Sequence, residues 1–532
     1  MSRSDLMARL RRIARASAPD AQAETQTDAP GNESRRRFTQ GVVGAAASAA
    51  AWSLSPTAFA ALSTRERILR VDTRTQVAVV GAGLAGLACA DELGRLGLLP
   101  TVYEADARVG GRCASLRGLF PGQVVERGGE FFSRSHHTMV GYARDLGLTL
   151  ENAGRLPGDT YFQFGGNRYS EAQVAAEYRE FAAAMRPDLL QAGSPTADRF
   201  DGFAEALDRM TVDEYLDLRG AGRLLRQFVD SACRAEYGAG IHEVGAMAFL
   251  RVLHGNPRSK FSPYGGDASE RLRVVGGNDQ IASGLAARLP RPVEFGHRLV
   301  SVRRLGSGRV RLVFDTAGGT VQHDFHAVVL ALPFSVMRDV EMHASLELPA
   351  WKSLAINASA MGNHGRIAVG FQSAFWHTRQ GLSGTGYTDL PRVQATWEAR
   401  PGSGDATVLA AHVGGEAALA LGQQGVQADA AAFLSQLEQV MPGATAMARR
   451  DPGGNLLAHV ESWSHNPLAK GSCPCNRPGY FTTLAQNEAK AVGNLLFAGD
   501  HTSSIYEWQG FMEGAALSGL RAAAEVHALA RA

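Results

Sequence analysis

The 532-residue sequence has little lysine, little cysteine and almost no net charge. Only four lysines stand beside fifty arginines, and the net charge of +2 excludes the basic surplus that binding to nucleic acid phosphates requires. Five scattered cysteines are too few for a disulfide framework. After the N-terminal region, no stretch reaches the roughly 18 uninterrupted apolar residues of a membrane-spanning helix. With 45% apolar and 20% charged residues, the composition excludes a disordered chain and favours a large soluble enzyme.

The N-terminal region has the composition of a targeting segment. Arginines at 35–36 and Phe38 precede a weakly apolar, alanine-rich run over 41–54, and Ala58-Phe59-Ala60 offers a small-x-small cleavage site. This order resembles a twin-arginine (Tat) signal peptide, which implies export of a folded, often cofactor-loaded protein to the periplasm. A membrane anchor is the alternative, but serines and a proline interrupt the apolar run. Residues 1–60 are therefore predicted to be a signal peptide with a disordered leader.

A glycine-rich turn lies between a predicted strand and a predicted helix. The β-branched run 76–80 leads into Gly81-Ala82-Gly83-Leu84-Ala85-Gly86, after which apolar residues recur at helical spacing. In such a turn the first glycine permits a tight bend, the second lets the backbone approach a pyrophosphate, and the third lets the helix pack on the strand. Glu104 ends the next predicted strand, where a carboxylate accepts hydrogen bonds from an adenosine ribose. The sequence therefore predicts a Rossmann-like dinucleotide site.

Three further segments indicate which dinucleotide to expect. They are Arg108-Val109-Gly110-Gly111-Arg112, the apolar run 495–497 with Ala498-Gly499-Asp500, and Trp508-Gln509-Gly510-Phe511-Met512-Glu513-Gly514-Ala515. With the glycine turn, these motifs resemble the flavin-dependent amine oxidase family, the superfamily of monoamine oxidases and L-amino-acid oxidases. The resemblance spans nearly the whole chain after the leader, and it implies that the cofactor is FAD.

The resemblance also implies an α/β fold with a discontinuous, Rossmann-like FAD-binding domain. Its three pieces are predicted at 65–150, 270–335 and 455–532. The intervening stretches, 151–269 and 336–454, are predicted to form an interleaved α+β substrate-binding domain.

The family motifs assign residues to the cofactor. Those predicted to bind FAD are Gly81, Gly83, Ala85, Gly86, Glu104, Ala105, Arg112, Gly128, Gly129, Glu130, Val300, Asp500 and Met512. Cys473 stands in the register at which vertebrate monoamine oxidases link a cysteine to the flavin, but the surrounding residues differ, and non-covalent FAD is favoured. A metal site on Cys473 and Cys475 is disfavoured, because no partner pair of cysteine or histidine stands at ligand spacing.

The implied reaction is hydride abstraction from the carbon next to an amine nitrogen. The resulting imine is hydrolysed to an aldehyde or ketone plus ammonia or amine, and oxygen or another acceptor reoxidises the flavin. Phe511 and Trp508 are predicted to line an aromatic cage, while Pro474 stands where the opposite aromatic wall is expected. Arg366 occupies the place of the family's usual lysine, and since arginine stays protonated it does not suit a proton relay. The hypothesis that follows is slow reaction with oxygen, as in a dehydrogenase.

The substrate class depends on the stretch 127–133. L-Amino-acid oxidases hold the substrate carboxylate with an arginine near this position, whereas this stretch has Glu130 and aromatic residues. A structural role is favoured for Glu130. An amine without an α-carboxylate is therefore favoured. Arg134 keeps an exported L-amino-acid oxidase open as the alternative, and other flavin chemistry or a non-catalytic FAD-binding partner is the third.

The histidines considered for a cavity are His136, His137, His242 and His364. The expected partners are a small-molecule amine and either oxygen or a periplasmic electron acceptor, and homodimers are common among relatives.

Overall fold

The computed structural model describes residues 74–153, 157–254, 272–399, 406–503 and 508–531. The predicted signal peptide at 1–60 lies outside these residues. Among the helices that are described, none is long and apolar enough to cross a lipid bilayer. All five cysteines are buried free thiols, in keeping with the absence of a disulfide framework.

The strands belong to several sheets. In chain order they are β1 (Val77–Val80), β2 (Thr101–Tyr103), β3 (Ser115–Leu116), β4 (Val125–Glu126), β5 (Leu150–Asn152), β6 (Asp159–Phe164), β7 (Asn167–Tyr169), β8 (Leu272–Val274), β9 (Arg298–Arg304), β10 (Val310–Thr316), β11 (Gly319–Phe325), β12 (Ala327–Leu330), β13 (Glu341–Met342), β14 (His364–Phe371), β15 (Leu382–Thr388), β16 (Ala395–Glu398), β17 (Thr407–Gly414), β18 (Ala458–Ser462) and β19 (Leu495–Phe497).

Helices surround these sheets. They are α1 (Leu84–Arg95), α2 (His137–Asp145), α3 (Glu171–Ala192), α4 (Gly202–Asp208), α5 (Val212–Leu218), α6 (Arg223–Tyr237), α7 (Ala246–His254), α8 (Asp279–Arg288), α9 (Phe334–Met337), α10 (Ala350–Ala358), α11 (Phe375–Gln380), α12 (Glu416–Leu419), α13 (Val426–Leu437), α14 (Ala444–Met447), α15 (Tyr480–Thr483) and α16 (Met512–Arg531). Short 3-10 helices lie at Ala344–Leu346 and Asp500–Thr502.

The first sheet is parallel, with the strand order β19-β12-β1-β2. Its strands come from chain segments that lie hundreds of residues apart, each within one of the three pieces predicted for the cofactor domain. Val77 and Val79 of β1 pack against α1, α8 and α16, while Ala78 and Val80 face the cluster that includes β9 and β10. Because both faces are covered, β1 is apolar throughout rather than alternating.

Helices α1 and α16 pack closely on one face of the parallel sheet. A Cβ at Gly519 would lie 2.1 Å from the carbonyl oxygen of Ala85, so only glycine permits this approach. The contact joins the C-terminal helix to the helix that follows the glycine turn. The helix after the glycine turn and the last helix of the described chain thereby lie side by side.

The second large sheet is mostly antiparallel, with the strand order β18-β14-β17-β16-β15-β6-β7. Ile367, Val369 and Phe371 of β14 point into an apolar cluster with α13. Because side chains alternate along a strand, His364 and Arg366 lie on the opposite face. Arg366 reaches the backbone of the segment between β4 and α2, so this sheet presents a polar face toward the parallel-sheet domain.

Helices α3 to α7 form a separate apolar layer beside this sheet. Ser170 with Gln173 and Thr211 with Glu214 form capping boxes that fix the starts of α3 and α5. Gly238, with φ of 62°, ends α6 in the left-handed conformation that glycine adopts without strain. This layer and the mostly antiparallel sheet together form the α+β part of the molecule.

Candidate active site

The glycine turn borders a large cavity at the carboxyl end of β1. Gly81 has φ of 102°, and a Cβ there would lie 2.7 Å from the carbonyl oxygen of Ala331. Gly86 approaches the carbonyl oxygen of Gly81 so closely that a Cβ would lie 1.9 Å from it. At Gly83, the N-cap of α1, no atom lies within 4 Å of the Cβ position, and no side chain caps the helix. The helix N-terminus is therefore open to a ligand, as the spacing of the glycines predicts.

The cavity has a volume of about 430 Å³ and is built from all three cofactor-domain segments. Most of the residues predicted for the cofactor or its aromatic cage line it: Gly81, Gly83, Ala85, Glu104, Ala105, Arg112, Gly129, Asp500, Phe511 and Met512. The remaining predicted residues do not line it: Gly86, Gly128, Glu130, Val300, Arg366, Cys473 and Trp508. Next to Val300, Arg298 and Leu299 of β9 both line the cavity.

Glu104 lies at the end of β2, beside the glycine turn. Its Oε2 accepts a hydrogen bond from the Ala82 amide at 2.7 Å, and its Oε1 accepts one from the Asp106 amide at 2.9 Å. Burial raises the pKa of Glu104, and these backbone donors partly offset the rise. Since each carboxylate oxygen has a second lone pair, the group can still accept hydrogen bonds from ribose hydroxyls.

Arg112 and Asp500 form a bidentate ion pair in the cavity wall. Nη2 of Arg112 lies 2.6 Å from Oδ1 and Nη1 lies 3.2 Å from Oδ2, and Nη1 also donates to the carbonyl oxygen of Ser472. Burial alone would raise the pKa of Asp500, but the Arg112 guanidinium holds that pKa well below its usual range. The pair therefore stays ionised and ties three chain segments together at the cavity.

These features fit FAD. The unfilled Cβ position at Gly83 leaves room for a pyrophosphate at the N-terminus of α1. The buried His501, which also lines the cavity, has an Nε2 with no hydrogen-bond partner among the described residues. A dinucleotide requires an open helix N-terminus for its phosphates and a carboxylate for its ribose. This cavity has both, together with an unpartnered polar atom.

Aromatic rings meet at the end of the cavity next to α16. The Trp508 and Phe511 rings lie 6.0 Å apart at 81° to each other. The ring of His136 lies 4.6 Å from that of Trp508 and 5.3 Å from that of Phe511, edge-on to both. Phe511 lines the cavity, and the Trp508 ring packs edge-on against it. Of the four histidines considered, His136 is the one that joins the predicted aromatic wall.

Arg366 is held in a buried network and does not line the cavity. Its guanidinium donates to the carboxylate of Glu130 at 2.5 Å, to the carbonyl oxygens of Glu126 and Gly128, and to Nε2 of His412 at 3.0 Å. Arg366 and Glu130 are 2% and 3% exposed. Four of the five guanidinium N–H donors thus serve protein acceptors. Arg366 clamps the segment that contains Gly129 against the cofactor cavity.

Glu130 is held in buried ion pairs, which supports the structural role favoured from the sequence. Its second partner is Arg273, whose Nη1 lies 3.8 Å from Oε1. Gly128 makes the segment's close approach possible, since a Cβ there would lie 1.8 Å from the carbonyl oxygen of Arg112. The glycine pair and Glu130 therefore hold the cavity wall, and only Gly129 lines the cavity itself.

The surroundings of Cys473 support the non-covalent FAD that the sequence favours. Its Sγ faces the carbonyl oxygen of Glu236 at 3.4 Å and Nδ1 of His364 at 3.6 Å, whereas the preceding residue, Ser472, lines the cavity. Backbone hydrogen bonds hold residues 472–475 against Met361 and its neighbours. The Ser472 hydroxyl and the Cys473 thiol both lie beside Nδ1 of His364, and it is the Ser472 carbonyl oxygen that binds Arg112 at the cavity.

The other residues singled out by the sequence lie away from the cavity. Pro474 pairs with Met361 and supplies no aromatic wall. His242 is exposed and lies beside Asp213, and Arg134 and His137 are also exposed. His364 is buried, and burial lowers its pKa to about 4. Among the described residues, no group of three or more histidine, cysteine or acidic side chains could hold a metal ion.

Trp463 is a cavity residue that the sequence did not reveal. It is 3% exposed and donates from Nε1 to the carbonyl oxygen of Arg127 at 3.0 Å, next to the glycine pair. It lines the cavity together with Ser472 and His501. Trp463 follows β18 without any glycine motif, so only its rarity as a tryptophan could have marked it.

Comparisons with known proteins agree with this geometry. Residues 84–527 match the family described as flavin containing amine oxidoreductase. The pseudooxynicotine dehydrogenase of a Pseudomonas species is 26% identical over 91% of this chain and 94% of its own length. The flavin-containing amine oxidase of Danio rerio is 24% identical over 85% of each chain. The solved structure of cyclohexylamine oxidase from Brevibacterium oxydans IH-35A has a TM-score of 0.72 at 22% identity, covering 86% of this chain and 100% of that one.

Proposed function

The chain belongs to the family of flavin containing amine oxidoreductases, and on that premise we propose that it is a dehydrogenase of small-molecule amines that lack an α-carboxylate. It is an FAD-dependent enzyme that acts on CH–NH groups. The observation that carries the proposal is the single cavity where the glycine turn, the Arg112–Asp500 pair and the Phe511 wall meet.

When bound, FAD supplies the acceptor for a hydride from the carbon next to the amine nitrogen. The protein's own groups bind, orient and exclude water. Phe511, packed against Trp508 and His136, gives the amine an apolar wall. Helix α16 begins at Met512 in the same wall, and the positive end of a helix favours negative charge. The partly buried Arg112 side chain fixes a cation whose charge the buried Asp500 balances.

The arginines support an amine rather than an amino acid as substrate. Arg134 is exposed, and the buried Arg366 and Arg273 are both paired with Glu130. A substrate carboxylate would have to displace Glu130 from one of them, and breaking a buried ion pair costs about 3–5 kcal/mol. The substrate is therefore proposed to carry the amine without that carboxylate.

Arg366 supports an electron acceptor other than oxygen. A lysine at this position could lose its proton in a buried setting, whereas arginine stays charged, and here its donors bind protein acceptors. No side chain at this position then positions or protonates a small molecule. The relative from Pseudomonas is named a dehydrogenase, in line with this proposal.

We also propose that the enzyme is exported by the twin-arginine route. The support is the arginine pair at 35–36, the alanine-rich run and the small-residue cleavage site. Expression of the full chain, followed by cell fractionation and N-terminal sequencing, should give a periplasmic product that begins near Ala61. Replacing both arginines by lysine should retain the protein in the cytoplasm, and unchanged export would refute the route.

The substrate proposal is tested by anaerobic mixing of the purified holoenzyme with matched pairs of amines and their α-carboxylated counterparts. Bleaching of the oxidised flavin absorbance by an amine, but not by its amino acid, is the expected result. Bleaching by amino acids alone would refute it and support the L-amino-acid oxidase alternative. Reoxidation is then followed with oxygen and with a cytochrome or quinone analogue, and faster reoxidation by oxygen would refute the dehydrogenase assignment.

A further inference from the structure

Gln509, within the Trp508–Phe511 turn, is fully buried and bound to three chain segments. Its Nε2 donates to the hydroxyl of Tyr480 at 2.7 Å and to the carbonyl oxygen of His501 at 3.0 Å. Its Oε1 accepts from Nδ2 of Asn476 at 2.9 Å. His501 lines the cofactor cavity, and Asn476 follows the cavity residue Ser472 within the same extended segment. One side-chain amide thus joins the three segments around the aromatic wall.

The hydrogen bonds continue away from the cavity to two buried charged residues. The hydroxyl of Tyr480 donates to Oε1 of Glu488 at 2.9 Å. Nζ of Lys352 donates to the carbonyl oxygens of Asn487 at 2.6 Å and Glu488 at 3.1 Å, and it lies 3.9 Å from the centre of the Phe497 ring. Lys352 is 0% exposed and Glu488 is 1% exposed. Lysine 352 therefore fixes the backbone from which Glu488 reaches Tyr480.

Ordinary packing does not call for this arrangement. Charged groups in the interior are costly, and apolar residues of similar volume usually give equal or greater stability. Burial raises the pKa of Glu488 to about 7 and lowers that of Lys352 to about 7, which expresses this cost. Directional hydrogen bonds, unlike apolar contacts, fix the orientation of the groups they join. The benefit of the network therefore lies in fixing a geometry, and the geometry at its inner end is that of the aromatic wall.

Backbone contacts transmit that geometry to the cavity. The amide of Phe511 donates to the carbonyl oxygen of Trp508 at 3.0 Å, so the turn closes around Gln509. A Cβ at Gly514 would lie 1.9 Å from the same carbonyl oxygen, which leaves the turn little freedom to shift against α16. A change in the Gln509 amide would therefore move Phe511.

We propose that Gln509 and Tyr480, held in place by Glu488 and Lys352, are positioning residues that set the angle and distance of the Phe511 ring at the flavin. The expected change in kcat rests on the proposed amine oxidation. The expected change in the spectrum of the bound flavin does not depend on any substrate. The two parts are therefore measured separately.

The test compares Tyr480→Phe and Gln509→Met with the control Tyr161→Phe. Tyr161 is also buried, at 1% exposed, and its hydroxyl lies 2.5 Å from Oγ1 of Thr396, in the apolar cluster with α13. Tyr480→Phe and the control each delete one buried hydroxyl, so both melting temperatures should fall, that of Tyr480→Phe by more because its hydroxyl also binds the Glu488 carboxylate. Only the positioning variants should change the absorption and fluorescence of the bound flavin, because only they move the Phe511 ring.

With an amine identified by the anaerobic screen, Tyr480→Phe and Gln509→Met should lower kcat about 10-fold and change KM less than about 2-fold, because small misplacements near reacting atoms reduce rates steeply. The double variant should be no worse than the more damaged single variant, since both interrupt one link. Wild-type kcat and flavin spectra in Tyr480→Phe, beside a lowered melting temperature, would overturn the inference.

The spectra keep this result separate from that of the proposed function. If no amine reduces even the wild-type flavin, the proposed function fails, but a spectral change in Tyr480→Phe and not in Tyr161→Phe still supports the positioning role. Identical spectra in all three proteins overturn that role. If Gln509→Met does not fold, Tyr480→Phe decides alone, because it removes a single oxygen atom.

Discussion

Replacing Arg366 by methionine should destabilise the protein more than any exposed arginine replacement. The change removes a buried cation that donates to Glu130, to His412 and to the carbonyl oxygens of Glu126 and Gly128. Methionine fills much of the same volume but donates no hydrogen bond. Glu130 then keeps only Arg273, at 3.8 Å, as a cationic partner.

The expected cost follows from these contacts. Removing one partner of a buried ion pair costs about 3–5 kcal/mol, because the remaining charge stays desolvated. The entropy of unfolding of a chain this long is near 1 kcal/mol per degree, so the melting temperature should fall by about 3–5 °C. The melting temperature of Arg366→Lys should lie between those of the wild type and Arg366→Met, since an ammonium keeps the charge but has three donors and no planar fork.

The assay is a thermal scan of the FAD-loaded protein with a double-mutant cycle. Glu130→Gln removes the other charge, and the double variant should be less destabilised than the two single losses together, by about 1–3 kcal/mol. The control is Arg144→Met, since Arg144 is 79% exposed and its ion pair with Asp145 contributes little. A loss below 1 °C in Arg366→Met, or strict additivity in the cycle, would refute the reasoning.

Three other predictions concern the cofactor cavity. Gly83→Val should leave the melting temperature of the FAD-free protein nearly unchanged and weaken FAD binding more than about 10-fold, because its Cβ position opens only onto the cavity; undiminished affinity in a titration with FAD would count against this. Gly86→Ala should not fold, because its Cβ would lie 1.9 Å from the carbonyl oxygen of Gly81. Asp500→Asn should lower stability at neutral pH. Because the pKa of Asp500 is depressed, its contribution is present above about pH 4 and declines progressively as the pH falls further, so the difference in melting temperature should shrink in acid; a constant difference across pH would contradict the assignment. Acid precipitation should release all the flavin from the wild type and from Cys473→Ser alike, and flavin retained only by the wild-type pellet would restore the covalent link.

Much of the cofactor site could be predicted because its requirements are local. A strand, a turn that needs glycine at fixed steps and a following helix are written in consecutive residues. The constraints at Gly81 and Gly86 come from the backbone within that same unit or from the adjacent strand. Asp500 and Phe511 likewise stand in short motifs whose spacing marks them. Both are expected at the cofactor from these motifs, and both line the cavity.

Side-chain direction could not be predicted in the same way. The Ser472 hydroxyl and the Cys473 thiol both lie beside Nδ1 of His364, and Leu299 lines the cavity whereas Val300 does not. Strand pairing decides these contacts, and the pairing partners are remote in sequence. Arg366 was recognised as a departure from the family's lysine, but its role as a clamp on Glu130 depends on a contact across 236 residues.

The sequence by itself determined the family, the cofactor and the glycine turn, because these depend on backbone geometry within short segments. Only the tertiary structure decided that Arg366 binds protein acceptors, that the Cys473 thiol lies beside His364, and that Trp463 and Gln509 stand at the site. Each of these depends on long-range contacts, where desolvation makes a buried charge or amide bind whatever partner the fold brings within reach.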